Sequence, residues 1–303
     1  MKRLRIFLFI FGLSAALLGR PGMLRAQQFV LSEPAPDRTA ELRAEVEFLC
    51  DSLCAGRGFG TAGAQGATLY LLRQLRNAGL RTTVQSFSAG GRVGHNVVAV
   101  TPGWYRRYIV VGAYFDGLGM LEGRLYPGAD ANASGVAALL ALARELPERC
   151  RGDVGIVFVG FDGHGADLSG SRAFLEKYRS VYPPVLMVNL DLLGSSLAPV
   201  SKARPDYLIA LGGGSFRFSL ESAARGPRID LTYEYYGSEA FTEIFYRRVS
   251  DQRCFLEAGI PAVMFTSGIT QHTNQVTDLP ATLDYDLLSR RIDLIAAWLR
   301  GQL

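Results

Sequence analysis

Two short runs constrain the fold of this chain more than any other feature: Ile109-Val110-Val111 and Ile156-Val157-Phe158-Val159. Successive side chains of a β-strand point to opposite faces, so a run that is apolar at every position is a strand buried on both sides. Such a strand needs helices on each face of its sheet. The rest of the chain supplies them. Strand-like runs at 82–87, 96–100, 108–113, 154–160, 185–190, 207–211, 229–233 and 262–266 are separated by helical patterns at 39–53, 65–78, 134–146, 171–177, 219–224 and 285–299. In the second helix Leu69, Leu72 and Leu75 form one apolar face, and Gly79 follows as a stop signal. This alternation predicts an α/β fold, a three-layer α/β/α sandwich around a central mixed, mostly parallel sheet. No repeat or linker interrupts residues 27–303, which read as a single α/β domain.

The first residues read as a separate module. Lys2, Arg3 and Arg5 precede an apolar run over residues 6–18, and Ala26 offers a small residue for cleavage. That is the layout of a secretory signal peptide over residues 1–26, and it predicts a cut after Ala26 and a periplasmic or secreted product. The run is shorter than the roughly 20 residues of a membrane span, so no stable span is expected once the leader is gone. The leader holds Lys2, Arg3, Arg5, Arg20 and Arg25 and no acid, so its removal takes the formal charge from +4 to 4 − 5 = −1, close to neutral. A near-neutral protein lacks the basic footprint of a nucleic-acid binder. An oxidising compartment also bears on Cys50, Cys54, Cys150 and Cys254. Cys50 and Cys54, four apart near a helix end, are the candidate disulfide; the alternative is that the cysteines are small buried residues.

Ligands of open α/β sheets bind beyond the carboxyl ends of the strands, so the residues following each strand matter most. Gly112-Ala113-Tyr114-Phe115-Asp116 follows one strand, and a loop then leads to Pro127-Gly128-Ala129-Asp130-Ala131-Asn132-Ala133-Ser134-Gly135. Gly160-Phe161-Asp162-Gly163-His164-Gly165 follows another and runs on to Gly170-Ser171. Asn189-Leu190-Asp191 ends a third, and the last strand is followed by a loop with His272. Together with Ser250-Asp251 and Gly259-Ile260-Pro261-Ala262-Val263, this order resembles the co-catalytic zinc aminopeptidase family. That family also holds glutaminyl cyclases and the ectodomain of the transferrin receptor. The resemblance covers roughly residues 56–299.

The resemblance implies a two-zinc site with five ligands, and this sequence departs from it at most of them. The first ligand, a histidine, is replaced by Tyr114, while its orienting partner Asp116 remains. The bridging aspartate is replaced by Ala131, between Asp130 and Asn132. The general base and the third ligand, a consecutive glutamate pair, are replaced by His164 and Gly165. Asp191 and His272 stand at the two remaining ligand positions. A catalytic zinc takes three protein ligands and an open position for water, and a carboxylate base must accept that water's proton. On this reading no zinc or other cofactor is expected. Tyr114, Asp116, Asp130, His164, Asp191 and His272 are the candidate lining of a binding cleft. Tyr114 is expected to fill the metal space, and His272 to pair with a neighbouring acid such as Asp191.

The residues imply an exported homologue that binds a peptide or protein partner without catalysis. The competing reading is a hydrolase with a rearranged single-metal site built from His164, Asp191 and His272. No Gly-x-Ser-x-Gly occurs, and three histidines leave little for a serine or cysteine hydrolase. Tyr233, Tyr235 and Tyr236 serve either as core or as walls of a ligand pocket, and the sequence leaves both open.

Overall fold

The computed structural model describes residues 37–150 and 152–303. The expected signal peptide and its cut lie outside the described residues. The described chain opens with helices α1 (Arg38–Cys50) and α2 (Ala62–Asn77). Strands β1 (Arg81–Ala89), β2 (Arg92–Val100) and β3 (Arg107–Tyr114) follow, then a small hairpin of β4 (Gly119–Leu121) and β5 (Arg124–Tyr126). Next come α3 (Gly135–Glu145), β6 (Val154–Phe161), α4 (Ser169–Tyr178), β7 (Pro184–Leu190) and β8 (Tyr207–Leu211). The chain ends with α5 (Arg217–Ala224), β9 (Asp230–Thr232), α6 (Glu239–Arg247), α7 (Gln252–Glu257), β10 (Ala262–Thr266) and α8 (Tyr285–Arg300).

Eight strands form one sheet in the order β1-β2-β6-β3-β7-β10-β8-β9. Its centre is parallel: β3 pairs with β6 and β7, and β7 with β10. Antiparallel pairs flank that centre, β2 with β6 on one side and β8 with β10 on the other. The doubly apolar runs sit where their composition demands. Ile109, Val111, Ile156 and Phe158 pack into a core with α1, α2, α3 and α8, whereas Val110, Val157, Val159 and Phe161 pack on the opposite face with α4 and α7. This is the expected three-layer arrangement.

Local chemistry sets the ends of several helices. Asp37 Oδ1 accepts from the backbone N–H of Thr39 at 3.0 Å to cap α1, and Asp284 Oδ1 accepts from that of Leu287 at 2.9 Å to cap α8. Helices α6 and α7 and the β4–β5 hairpin had no counterpart among the sequence-based elements. The six residues of α7 and the three-residue strands are too short to show a period. Cys50 and Cys54 are free thiols in the structure, so the expected disulfide is not formed there. The Cys50 thiol lies against the carbonyl of Pro127 at 3.5 Å, and Cys54 is buried in the core. Among the described residues, no helix is long and apolar enough to cross a membrane.

Candidate binding cleft at the carboxyl edge of the sheet

Parallel neighbours end on the same side of a sheet, so the loops after β3, β6, β7 and β10 meet. Tyr114 and Phe161 are register partners at the ends of β3 and β6. Asp116, just past β3, accepts from the backbone N–H of His164 at 3.0 Å and of Gly165 at 3.4 Å, which fixes the turn after β6. Asn132 ties the next pair of strand ends together. Its amide donates to the carbonyls of Tyr114 at 3.1 Å and Leu190 at 2.9 Å, and its carbonyl accepts from Leu192 N–H at 3.0 Å. Asp191 follows β7 and donates its N–H to Phe265 of β10 at 3.1 Å.

These anchors bring Tyr114, His164 and Asp191 into one cavity of about 90 Å³, walled further by Tyr235, Phe245 and Met264. The Tyr114 ring stacks on the His164 imidazole, with centroids 3.8 Å apart and planes 16° from parallel. Tyr114 is thereby packed face to face with the residue in the turn that follows β6. His164 Nδ1 lies 3.1 Å from Asp251 Oδ2, a partner 87 residues away in sequence. Asp251 is held in reach by β7: the Asn189 amide donates to Ser250 Oγ and Gln252 Oε1, each at 2.8 Å. Ser250-Asp251 stands out in the sequence as a motif, but nothing local to it shows that Asp251 meets His164.

The electrostatics follow from burial and from this crowding of carboxylates. Burial works to lower the His164 pKa and is outweighed by the hydrogen bond and charge of Asp251 with the charges of Asp191 and Asp116, which raise it to about 9. Burial raises the Asp116 carboxyl to about 7, with the His164 charge pulling the other way. Burial likewise pushes Asp191 up, opposed by His164 and by hydrogen bonds from Ser250 and Tyr114. Asp191 Oδ1 is buried and has no hydrogen-bond partner among the described residues.

Other candidate residues lie elsewhere. Asp130 is turned inward: its Oδ1 accepts from Ser134 Oγ at 3.0 Å and Gly194 N–H at 2.8 Å. It braces a loop behind the cleft, and burial together with the Asp278 charge raises its pKa to about 7. Ala131 is buried beside it, its N–H donated to Asp278 at 3.0 Å. Gly165 and Asp116 line a neighbouring groove of about 540 Å³, on which Leu118, Met120 and Leu121 of the β4–β5 region also border. His272 does not pair with Asp191 as expected. Its Nδ1 meets Thr277 Oγ1 at 2.9 Å, and its loop neighbours Thr273 and Asn274 are the ones that line the cavity. Of the tyrosine cluster Tyr235 is a cavity wall, whereas Tyr233 packs under the guanidinium of Arg217 at 4.4 Å.

A mixed α/β/α sheet with its cleft at this edge is the aminopeptidase-like α/β fold. Residues 96–299 match peptidase family M28, and the chain belongs to that family. It is 30% identical over 210 residues to a probable zinc metalloprotease of Pyricularia oryzae, an alignment covering 57% of this chain and 42% of that protein. The chain thus matches under half of that relative's length. Among solved structures it resembles a zinc aminopeptidase from Bacillus subtilis, with a TM-score of 0.70 at 15% identity over 89% of this chain and 96% of that one. Porphyromonas gingivalis glutaminyl cyclase gives a TM-score of 0.69 at 16% identity over 88% and 98% of the two chains.

These comparisons overturn the expectation that no cofactor belongs here. The relatives are zinc peptidases, so zinc is the metal the family implies. The donors this chain supplies do not fit the co-catalytic pair. Tyr114 is stacked on His164, Ala131 and Gly165 carry no donor atoms, and His272 faces Thr277. Among the described residues, no group of three or more His, Cys, Asp or Glu side chains is arranged to hold a metal ion. The trio His164, Asp191 and His272 does not converge for the same reason: the hydrogen bonds of His272 belong to its own loop.

Proposed function

We propose that this M28-family chain binds a peptide or protein in its cleft and does not hydrolyse peptide bonds through a co-catalytic metal pair. The state of His164 carries the reading. It stands where the resemblance places the general base, and Asp251 and the neighbouring carboxylates raise its pKa to about 9. At neutral pH that imidazole already holds its proton, so it cannot take one from an attacking water. Ala131 and Gly165, which stand in for two carboxylate ligands, support the same conclusion. The likeness to a probable zinc metalloprotease and a zinc aminopeptidase makes a peptide the natural ligand class. The basic and apolar leader supports export, which N-terminal sequencing of the mature protein tests at Ala26.

The direct experiment is an assay of the mature protein on chromogenic amino-acid amides with zinc supplied. The expected result is no turnover above the uncatalysed rate. Robust hydrolysis abolished by a chelator overturns the proposal.

A further inference from the structure

The sheet has an open edge along the whole of β1, far from the cleft. Strand β1 pairs with β2 on one side and with no strand among the described residues on the other. Its register with β2 is unbroken from Arg81↔Val100 to Ala89↔Arg92, and Gly90 and Gly91, both at positive φ, close the hairpin. The residues flanking such a two-residue turn form a hydrogen-bonded pair, and bonded and non-bonded pairs alternate along the ladder. Arg81, Thr83, Gln85, Phe87 and Ala89 therefore bond to β2, and Thr82, Val84, Ser86 and Ser88 turn their N–H and C=O groups outward. Strand β2 agrees with this parity. Thr101 N–H reaches the Ile156 carbonyl at 3.1 Å and His95 N–H reaches Asp162 at 2.8 Å, so its odd-numbered residues face β6.

Proteins blunt such edges with charges, prolines or bulges. Here Arg81, at the start of the strand, carries its one charge; proline and bulge are absent, and Val84, Ser86 and Ser88 are exposed. The strand is also complementary to itself. A second copy turned about a two-fold axis normal to the sheet at Gln85 sets Thr82 opposite Ser88 and Val84 opposite Ser86 on both sides of the axis. All four outward residues then form bonded pairs, each exchanging two hydrogen bonds, and any shift of register leaves some of them unpaired. Arg81 meets Ala89 of the second copy, so no like charges stand opposite each other.

Helix α2 adds apolar surface at the same axis. Near its end Arg76 Nε donates to Thr82 Oγ1 at 3.0 Å, and just before its start Phe59 stacks on Phe87 with centroids 6.0 Å apart, so α2 runs antiparallel to β1. Leu69 lies two turns before Arg76 on one helix face, about 10 Å back, which is about three residues of strand from Thr82 and so beside Gln85. Leu69 is 66% exposed, although Leu75 of the same expected apolar face is fully buried. In the pair the two Leu69 side chains meet above the two Val84 side chains, which are diagonal neighbours. The two Arg76 side chains stay roughly 20 Å apart, beyond the Debye length of about 10 Å.

We propose that β1 is a self-association edge, and that two copies of this chain pair antiparallel through it to form one continuous sheet. The two-fold axis closes the assembly at a dimer and removes the open edge. The two clefts then open on opposite sides of the joined sheet.

The test is sedimentation of the mature protein over a concentration series, with hydrogen exchange over residues 81–89 at both ends of the series. A monomer–dimer equilibrium is expected, with exchange over 81–89 slowed in the dimer. Ser86→Pro removes an outward N–H and no bond to β2, so the fold should hold while dimerisation weakens at least about tenfold. Leu69→Lys, at an exposed helix position, should weaken it to a similar degree and serves if the proline variant melts early. A chain that stays monomeric at about 100 μM overturns the proposal, whether or not an added extended peptide pairs with β1. A dimer that leaves exchange over 81–89 unchanged, or that persists undiminished in folded Ser86→Pro or Leu69→Lys protein, overturns it as well.

Discussion

The His164–Asp251 contact makes the most demanding prediction. Asp251→Asn keeps the size of the side chain and its reach to Nδ1 but removes the negative charge. In the native cleft that charge and hydrogen bond, with the charges of Asp191 and Asp116, outweigh burial and carry the imidazole from its ordinary 6.5 to about 9. At 1.36 kcal/mol per pH unit the displacement corresponds to about 3 kcal/mol favouring the protonated, folded form. The sign is fixed by the direction of the shift. A pKa raised on folding gives stability that is fully present below pH 6.5 and is lost as the pH climbs through about 9. The raised carboxyls of Asp116 and Asp130 act in the same sense. Their contribution is lost between the ordinary 3.8 and about 7, so it is mostly gone before the His164 window opens at 6.5. Wild-type stability should therefore fall from pH 6.5 to 9. In Asp251→Asn only the Asp191 and Asp116 charges remain to oppose burial, so His164 should titrate well below 9 and the fall should flatten. Only His95, His164 and His272 contribute imidazole signals, so an NMR titration assigns His164 by a single further substitution. A wild-type His164 that titrates near 6.5, or one that stays above 8 in Asp251→Asn, refutes this account of the cleft.

Two further predictions concern the replaced positions. Restoring hydrolysis should need Tyr114→His, Ala131→Asp, Gly165→Glu and His164→Glu together; the three ligand changes without the last should stay feeble in the amide assay, since general-base help is worth about 100–10,000-fold. Full activity from any single change would sink that expectation. Gly165, in the turn after β6, and Gly170, in the first turn of α4, should respond oppositely in thermal melts. A Cβ at Gly165 meets nothing within 4 Å, so Gly165→Ala should stay within about 0.5 kcal/mol of wild type. A Cβ at Gly170 would fall 2.0 Å from the Asp162 carbonyl, so Gly170→Ala should cost about 3 kcal/mol.

Much of the fold was legible in the sequence because its signals are local. A run such as Ile156-Val157-Phe158-Val159 is apolar on both faces wherever it sits, and it can be buried only between two helical layers. The strand-end motifs likewise placed Tyr114, His164 and Asp191 at one edge of the sheet, because parallel strands share their carboxyl ends. Helix α7 escaped notice because six residues show no period, and Asp251 at its start therefore had no visible task.

Which side chains meet at that edge was a matter for the tertiary structure alone. His164 finds Asp251 across 87 residues because Asn189 anchors the flanking Ser250 and Gln252 to β7. His272 turns to Thr277 and Asp130 to Ser134 and Gly194, so two residues read as cleft candidates serve their loops instead. Spacing along the chain sets where a strand ends, but not where the next side chain points. That direction is decided by long-range hydrogen bonds and by the charges already buried there, neither of which has a signature in local sequence.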